Sequence, residues 1–161
     1  FYTMAMVAAH PTMEGVIFEQ PAVAEVAKAF VAEHGLEHRV SVIAGDYAQD
    51  GLQGPYDLVF ASATLNFAKE RFDTLFAKVH DALAPGGVFM THQDGMRDER
   101  TRPANHITEF LLAEMMGGDF AILQGEIAEA MLRCGFQTVR SFTKTSNMGD
   151  MDVDIGRKRV A

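Results

Sequence analysis

Residues 56–62, Tyr-Asp-Leu-Val-Phe-Ala-Ser, and residues 84–91, Ala-Pro-Gly-Gly-Val-Phe-Met-Thr, flank a stretch of helical periodicity, and this succession decides the fold. Asp57 to Ala61 is short and rich in apolar and aromatic residues, the composition of a buried strand. Phe72, Leu75, Phe76, Val79 and Leu83 then recur at three- and four-residue steps and mark one face of a long helix. Ala84-Pro85-Gly86-Gly87 is expected to end that helix, because proline and paired glycines do not continue one. Val88 to Thr91 reads as the next strand.

The same alternation extends outward in both directions. Towards the start, Val40 to Ala44 is a strand. Before it, Val23, Val26, Ala27, Phe30 and Val31 keep helical spacing between Pro21 and Gly35, residues suited to a helix start and stop. Val16-Ile17-Phe18 is a strand, and Phe1 to Val7 reads as a helix. Towards the end, a polar stretch from His92 to Pro103 leads into a helix with Ile107, Phe110, Leu111 and Met115 on one side, closed by Gly117-Gly118. A short helix follows over Gly125 to Arg133, then a strand over Phe136 to Phe142 and a last strand over Asp152 to Lys158. Alternating strands and helices predict an α/β fold with a mostly parallel sheet and an antiparallel C-terminal edge strand, in one domain spanning residues 1–161. Such sheets bind ligands beyond the carboxyl ends of their strands, so function is expected just after each strand.

Composition narrows the partners. A formal charge of -8 argues against a nucleic-acid partner, which would call for clustered Lys and Arg. No apolar run approaches the roughly 20 residues of a membrane-spanning helix, and the start has no signal-peptide pattern. A cytoplasmic protein is expected. The single cysteine, Cys134, leaves no disulfide framework and reads as a small buried residue. No metal is expected either: Asp150, Asp152 and Asp154 alternate without a closing glutamate, and Gly35 separates His34 from His38.

Three strand ends carry chemistry. Glu19 and Gln20 follow the first strand, and a carboxylate there can accept from both hydroxyls of a ribose. Gly45-Asp46-Tyr47 follows the second, where an acid can accept from an exocyclic amine and a ring can lie against a base. Ser62 opens the segment Ser62-Ala63-Thr64-Leu65-Asn66-Phe67 after the third. His92, with Asp94 two residues on, closes the fourth, while His106 reads as a capping or surface residue.

Taken in order, Phe18-Glu19-Gln20-Pro21, Ala44-Gly45-Asp46 and Ala84-Pro85-Gly86-Gly87 resemble class I S-adenosylmethionine-dependent methyltransferases of the small-molecule O-methyltransferase type. The resemblance implies a Rossmann-like sheet, S-adenosylmethionine as cofactor and a small-molecule acceptor methylated on a hydroxyl. Residue by residue, it implies that Glu19 and Gln20 hold the ribose, Asp46 and Tyr47 frame the adenine, and Ser62 lines the methionine side. It also implies a first strand and glycine-rich loop ahead of Phe1, and a homodimer formed through an N-terminal helical domain. At Asn66 the family usually carries a histidine base, and asparagine takes no proton at neutral pH. Asn66 is therefore expected to orient the acceptor and His92 to serve as base. Asn66 also motivates an alternative, a non-catalytic module that keeps the methyltransferase fold. A nicotinamide-dependent oxidoreductase is disfavoured by the Gly-Asp-Tyr and Ala-Pro-Gly-Gly segments.

Overall fold

In the computed structural model, which describes residues 1–146 and 149–160, the chain forms two units, Phe1–Leu52 and Gln53–Ala161. The first contains α1 (Tyr2–Ala9), β1 (Gly15–Glu19), α2 (Pro21–Glu33) and β2 (Val40–Ala44). Pro21 starts α2 because the first helical position needs no N–H, and Gly35, at φ +64°, carries the chain out of it. β1 and β2 pair in parallel, Gly15 opposite Val40 and Glu19 opposite Ala44. Met4, Val7, Val31, Leu36 and Val40 form the core, with Met13, Ile17 and Val42 against it. Arg39 donates to the carbonyls of Val7 and His10, at 2.8 and 3.1 Å, and so ties the end of α1 to the start of β2. The α2 face expected to be apolar is divided: Val31 is buried, whereas Val23, Val26 and Phe30 are exposed.

The second unit contains β3 (Tyr56–Ser62), a 3-10 helix (Leu65–Arg71), α3 (Phe72–Ala82), β4 (Leu83–Asp94), α4 (Ala104–Met115), α5 (Glu126–Arg133), β5 (Thr138–Ser146) and β6 (Gly149–Arg157). Its sheet runs β3-β4-β6-β5. β3 and β4 are parallel, and β6 is antiparallel to both of its neighbours. The C-terminal strand is thus antiparallel, as expected, but it lies inside the sheet and leaves β5 at the edge. Its composition fits that place: Met151 and Val153 are buried, while Ser141, Phe142 and Thr143 on β5 are exposed.

α3 ends at Ala82, short of the expected end, and Leu83 with Ala84-Pro85-Gly86-Gly87 belongs to β4 rather than to the helix and its stop. The pairing shifts between Tyr56 opposite Leu83 and Leu58 opposite Val88, so the extra residues bulge. Gly87 is required there, because a Cβ would sit 2.8 Å from the Ala84 carbonyl oxygen and 3.0 Å from that of Tyr56. Beneath α3, Phe72 stacks on Phe76 at 5.0 Å, and Phe76 meets Phe89 edge-on at 5.2 Å. Both Phe76 and Phe89 are fully buried.

α4 departs from expectation in its orientation. Ile107, Leu111 and Met115 are exposed, and the buried residue of the helix is His106, with 1% of its surface accessible. His106 is therefore neither a cap nor a surface residue. Cys134 is half-buried rather than enclosed, with its thiol donating to the carbonyl of Asp73. Among the described residues no helix is long and apolar enough to cross a membrane.

Candidate functional site

In the first unit, parallel pairing sets Glu19 and the Gly45-Asp46-Tyr47 turn side by side at the carboxyl ends of β1 and β2. The amide of Gly45 donates to the Glu19 carbonyl at 2.8 Å. Gly45 cannot carry a side chain without displacing Phe18, whose ring would lie 2.7 Å from an added Cβ. The carboxylate of Asp46 is engaged by its own turn: the Ala48 amide donates to Oδ1 at 2.8 Å, and Gln49 Nε2 donates to Oδ2 at 2.7 Å. Glu19 differs. It is half-buried, and among the described residues its carboxylate has no hydrogen bond or ion pair. Gln20, exposed, forms the start of α2, where its carbonyl accepts from the amides of Val23 and Ala24.

In the second unit, Ser62 and His92 are register partners at the carboxyl ends of β3 and β4. Ser62 Oγ and His92 Nδ1 lie 3.1 Å apart. Burial, and then the positive charge of Lys144, hold the His92 imidazole below the ordinary histidine range. Farther along, Asn66 on the 3-10 helix is buried, and its Nδ2 donates to both carboxylate oxygens of Asp94, at 3.1 Å each. The same nitrogen donates to the Phe120 carbonyl at 2.8 Å. Burial pushes the Asp94 carboxyl above the ordinary carboxylate range, and the Asn66 hydrogen bond opposes that rise.

Asn66 and Asp94 form part of the wall of a cavity of about 370 Å³, a volume suited to a ring-sized organic ligand. One side of α4 supplies His106, Glu109, Phe110 and Ala113, and Phe67 and Phe120 add aromatic surface. Ser62 and His92 are not on this wall. Sequence reasoning found Asn66 but gave Asp94 and His106 only minor parts. The signal for His106 was present in the spacing: positions 106, 109, 110 and 113 share a helical face, rotated from the apolar stripe 107, 111 and 115. No group of three or more His, Cys, Asp or Glu side chains among the described residues could hold a metal ion.

A family model described as an O-methyltransferase domain matches residues 2–137. The N,N-dimethyltransferase OxyT of Streptomyces rimosus is 31% identical over 111 residues, which cover 69% of this chain and 32% of that protein. The L-tyrosine C(3)-methyltransferase of Streptomyces lavendulae is 31% identical over 102 residues, 63% of this chain and 28% of that protein. Among solved structures, the S-adenosylmethionine-dependent methyltransferase SibL in its apo form superposes with a TM-score of 0.76 at 25% identity, over 96% of this chain and 46% of that one. The chain spans about a third of the length of the curated relatives it matches.

Proposed function

The chain belongs to the O-methyltransferase domain family, and on that premise we propose that the protein transfers a methyl group from S-adenosylmethionine to a small organic acceptor, with a hydroxyl as the receiving group. The observation that carries this reading is Glu19. A half-buried carboxylate without a partner, at the carboxyl end of a parallel strand, suits a ligand that brings two hydroxyls, as a ribose does. We assign Glu19 and Gln20 to the ribose, Asp46 and Tyr47 to the adenine, and Ser62 to the methionine side. Asp46 keeps only the acceptor capacity that Ala48 and Gln49 leave free.

S-adenosylmethionine supplies an electrophilic methyl group on a sulfonium. The residues of this chain then have to align an acceptor, and alignment alone lowers a two-body barrier substantially. Asn66 is assigned to that positioning: its amide is fixed by Asp94 and Phe120, so the cavity wall it builds is rigid. His92, bonded to Ser62, is assigned a polar role at the methionine side, where its neutral imidazole can accept a proton or a hydrogen bond. A homodimer in the cytoplasm accompanies this reading. The relatives named for nitrogen and carbon methylation make the acceptor atom a matter for product analysis.

Calorimetric titration of S-adenosylhomocysteine into the intact protein tests the proposal. Saturable binding is expected, and Glu19→Ala should weaken it by about 10- to 100-fold, the worth of one or two charge-assisted hydrogen bonds. Equal affinity in the variant removes Glu19 from the site, and no binding by the folded wild type sinks the methyltransferase reading. The non-catalytic alternative is favoured by Asn66 standing where a base is usual. Turnover on a panel of phenols counts against it.

A further inference from the structure

We propose that His106 takes the acceptor's proton during methyl transfer, acting from the α4 wall of the cavity. This rests on the methyltransferase reading and deepens it, because Asn66 takes no proton and its chain neighbours Leu65 and Phe67 carry no base. His106 is 1% exposed, yet it forms part of the cavity wall. Its Nδ1 is buried and has no hydrogen-bond partner among the described residues. Neither ring nitrogen is hydrogen-bonded among the described residues, so the neutral imidazole is free to accept from an acceptor hydroxyl that enters the cavity.

Carboxyl groups stand around this ring. Asp94 faces it from β4, Glu109 lies on its own helix at the cavity wall, and Asp150 approaches from β6. The cation Arg97 is already paired with Asp150 at 2.6 Å. An imidazolium formed at His106 during the transfer would face the carboxyl groups of Asp94 and Asp150, and its charge lowers the proton affinity of both. Asp94 is thereby a positioning residue: Asn66 occupies both of its oxygens and holds its carboxyl group on the cavity wall that it shares with the histidine.

The step balances without a further reagent. An electron pair of the acceptor oxygen forms the new bond to the methyl carbon, and the pair of the old carbon–sulfur bond leaves with sulfur. The hydroxyl proton passes to the His106 ring nitrogen and from there to water after product release. Asn66, Phe67 and Phe120 hold the acceptor while this happens.

A chromogenic phenol, 4-nitrophenol, reads the proton transfer directly, because its phenolate absorbs where the phenol does not. With the intact protein saturated in S-adenosylhomocysteine, the bound probe is expected to show the phenolate band at a pH below its own ionisation range. In His106→Gln and His106→Asn the ionised fraction should fall about tenfold or more, one unit of proton affinity or greater, while His38→Gln, at an exposed histidine that is not on the cavity wall, retains the band. Circular dichroism and unchanged affinity for S-adenosylhomocysteine verify that the His106 variants are folded. A phenolate band that survives in both folded His106 variants overturns the assignment, as does a wild type that leaves the probe un-ionised. Loss of S-adenosylhomocysteine binding by the wild type is a separate result and strikes the methyltransferase reading itself.

Discussion

Asp154 is one of the few charged side chains the fold encloses, with 3% of its surface accessible. Burial pushes its carboxyl above the ordinary range, and the hydrogen bond from Ser141 opposes that rise. A raised acid favours folding in its protonated form. Its contribution is complete below the ordinary aspartate range and is lost as pH rises through the raised value. Asp154→Asn, which keeps an acceptor for Ser141, is therefore expected to stabilise the protein at neutral pH and to lose that advantage in acid. Urea midpoints at the two pH values measure this, and a variant less stable at neutral pH would show that the carboxylate's hydrogen bonds outweigh its desolvation. The same residue shows what sequence reading missed: Asp152 and Asp154 were expected on an edge strand, whereas both are buried. Their position inside the sheet is a tertiary fact that no local pattern records.

The elements themselves were legible, because apolar periodicity of two or of three to four residues follows directly from strand and helix geometry. Strand ends, where Glu19, Asp46, Ser62 and His92 stand, came with them. Strand order and helix facing were less accessible, since β6 enters the sheet beside β4 and α4 presents His106 rather than Ile107 to the interior. Lys158 illustrates how such late segments secure earlier ones. Its ammonium donates to the carbonyls of His80 and Leu83, both at 2.7 Å, at the carboxyl end of α3, where a cation complements the helix dipole. Lys158→Met should retain the stem's packing, remove these two bonds and cost about 1 to 2 kcal/mol. Thermal unfolding of the variant checks this, and an unchanged midpoint would mean that water replaces the ammonium without loss.

At the scale of the molecule, the two units differ in what sustains them. Phe1–Leu52 relies on a two-stranded sheet and a small aliphatic core, and a sheet of two strands is marginal in water. Gln53–Ala161 has four paired strands and a stacked phenylalanine core. Amide hydrogen exchange of the intact protein should therefore find β1 and β2 opening at lower free energy than β4 and β6. Equal protection in both pairs of strands would count against this difference in stability. The cavity was the least legible feature of all, because its wall draws on β3–α3 segments, β4, α4 and β6 together.

The insertion of β6 between β4 and β5 also fixes an order of events during synthesis. β4 pairs with residues that the ribosome adds well after β4 itself, Met151 opposite Asp94 and Arg157 opposite Val88. Until those residues emerge, β4 has only β3 beside it, and the cavity lacks the Met151 portion of its wall. A nascent chain thus exposes an apolar strand edge until β6 emerges, and ligand cannot rescue it, because the pocket that would bind ligand is completed by the same later strand.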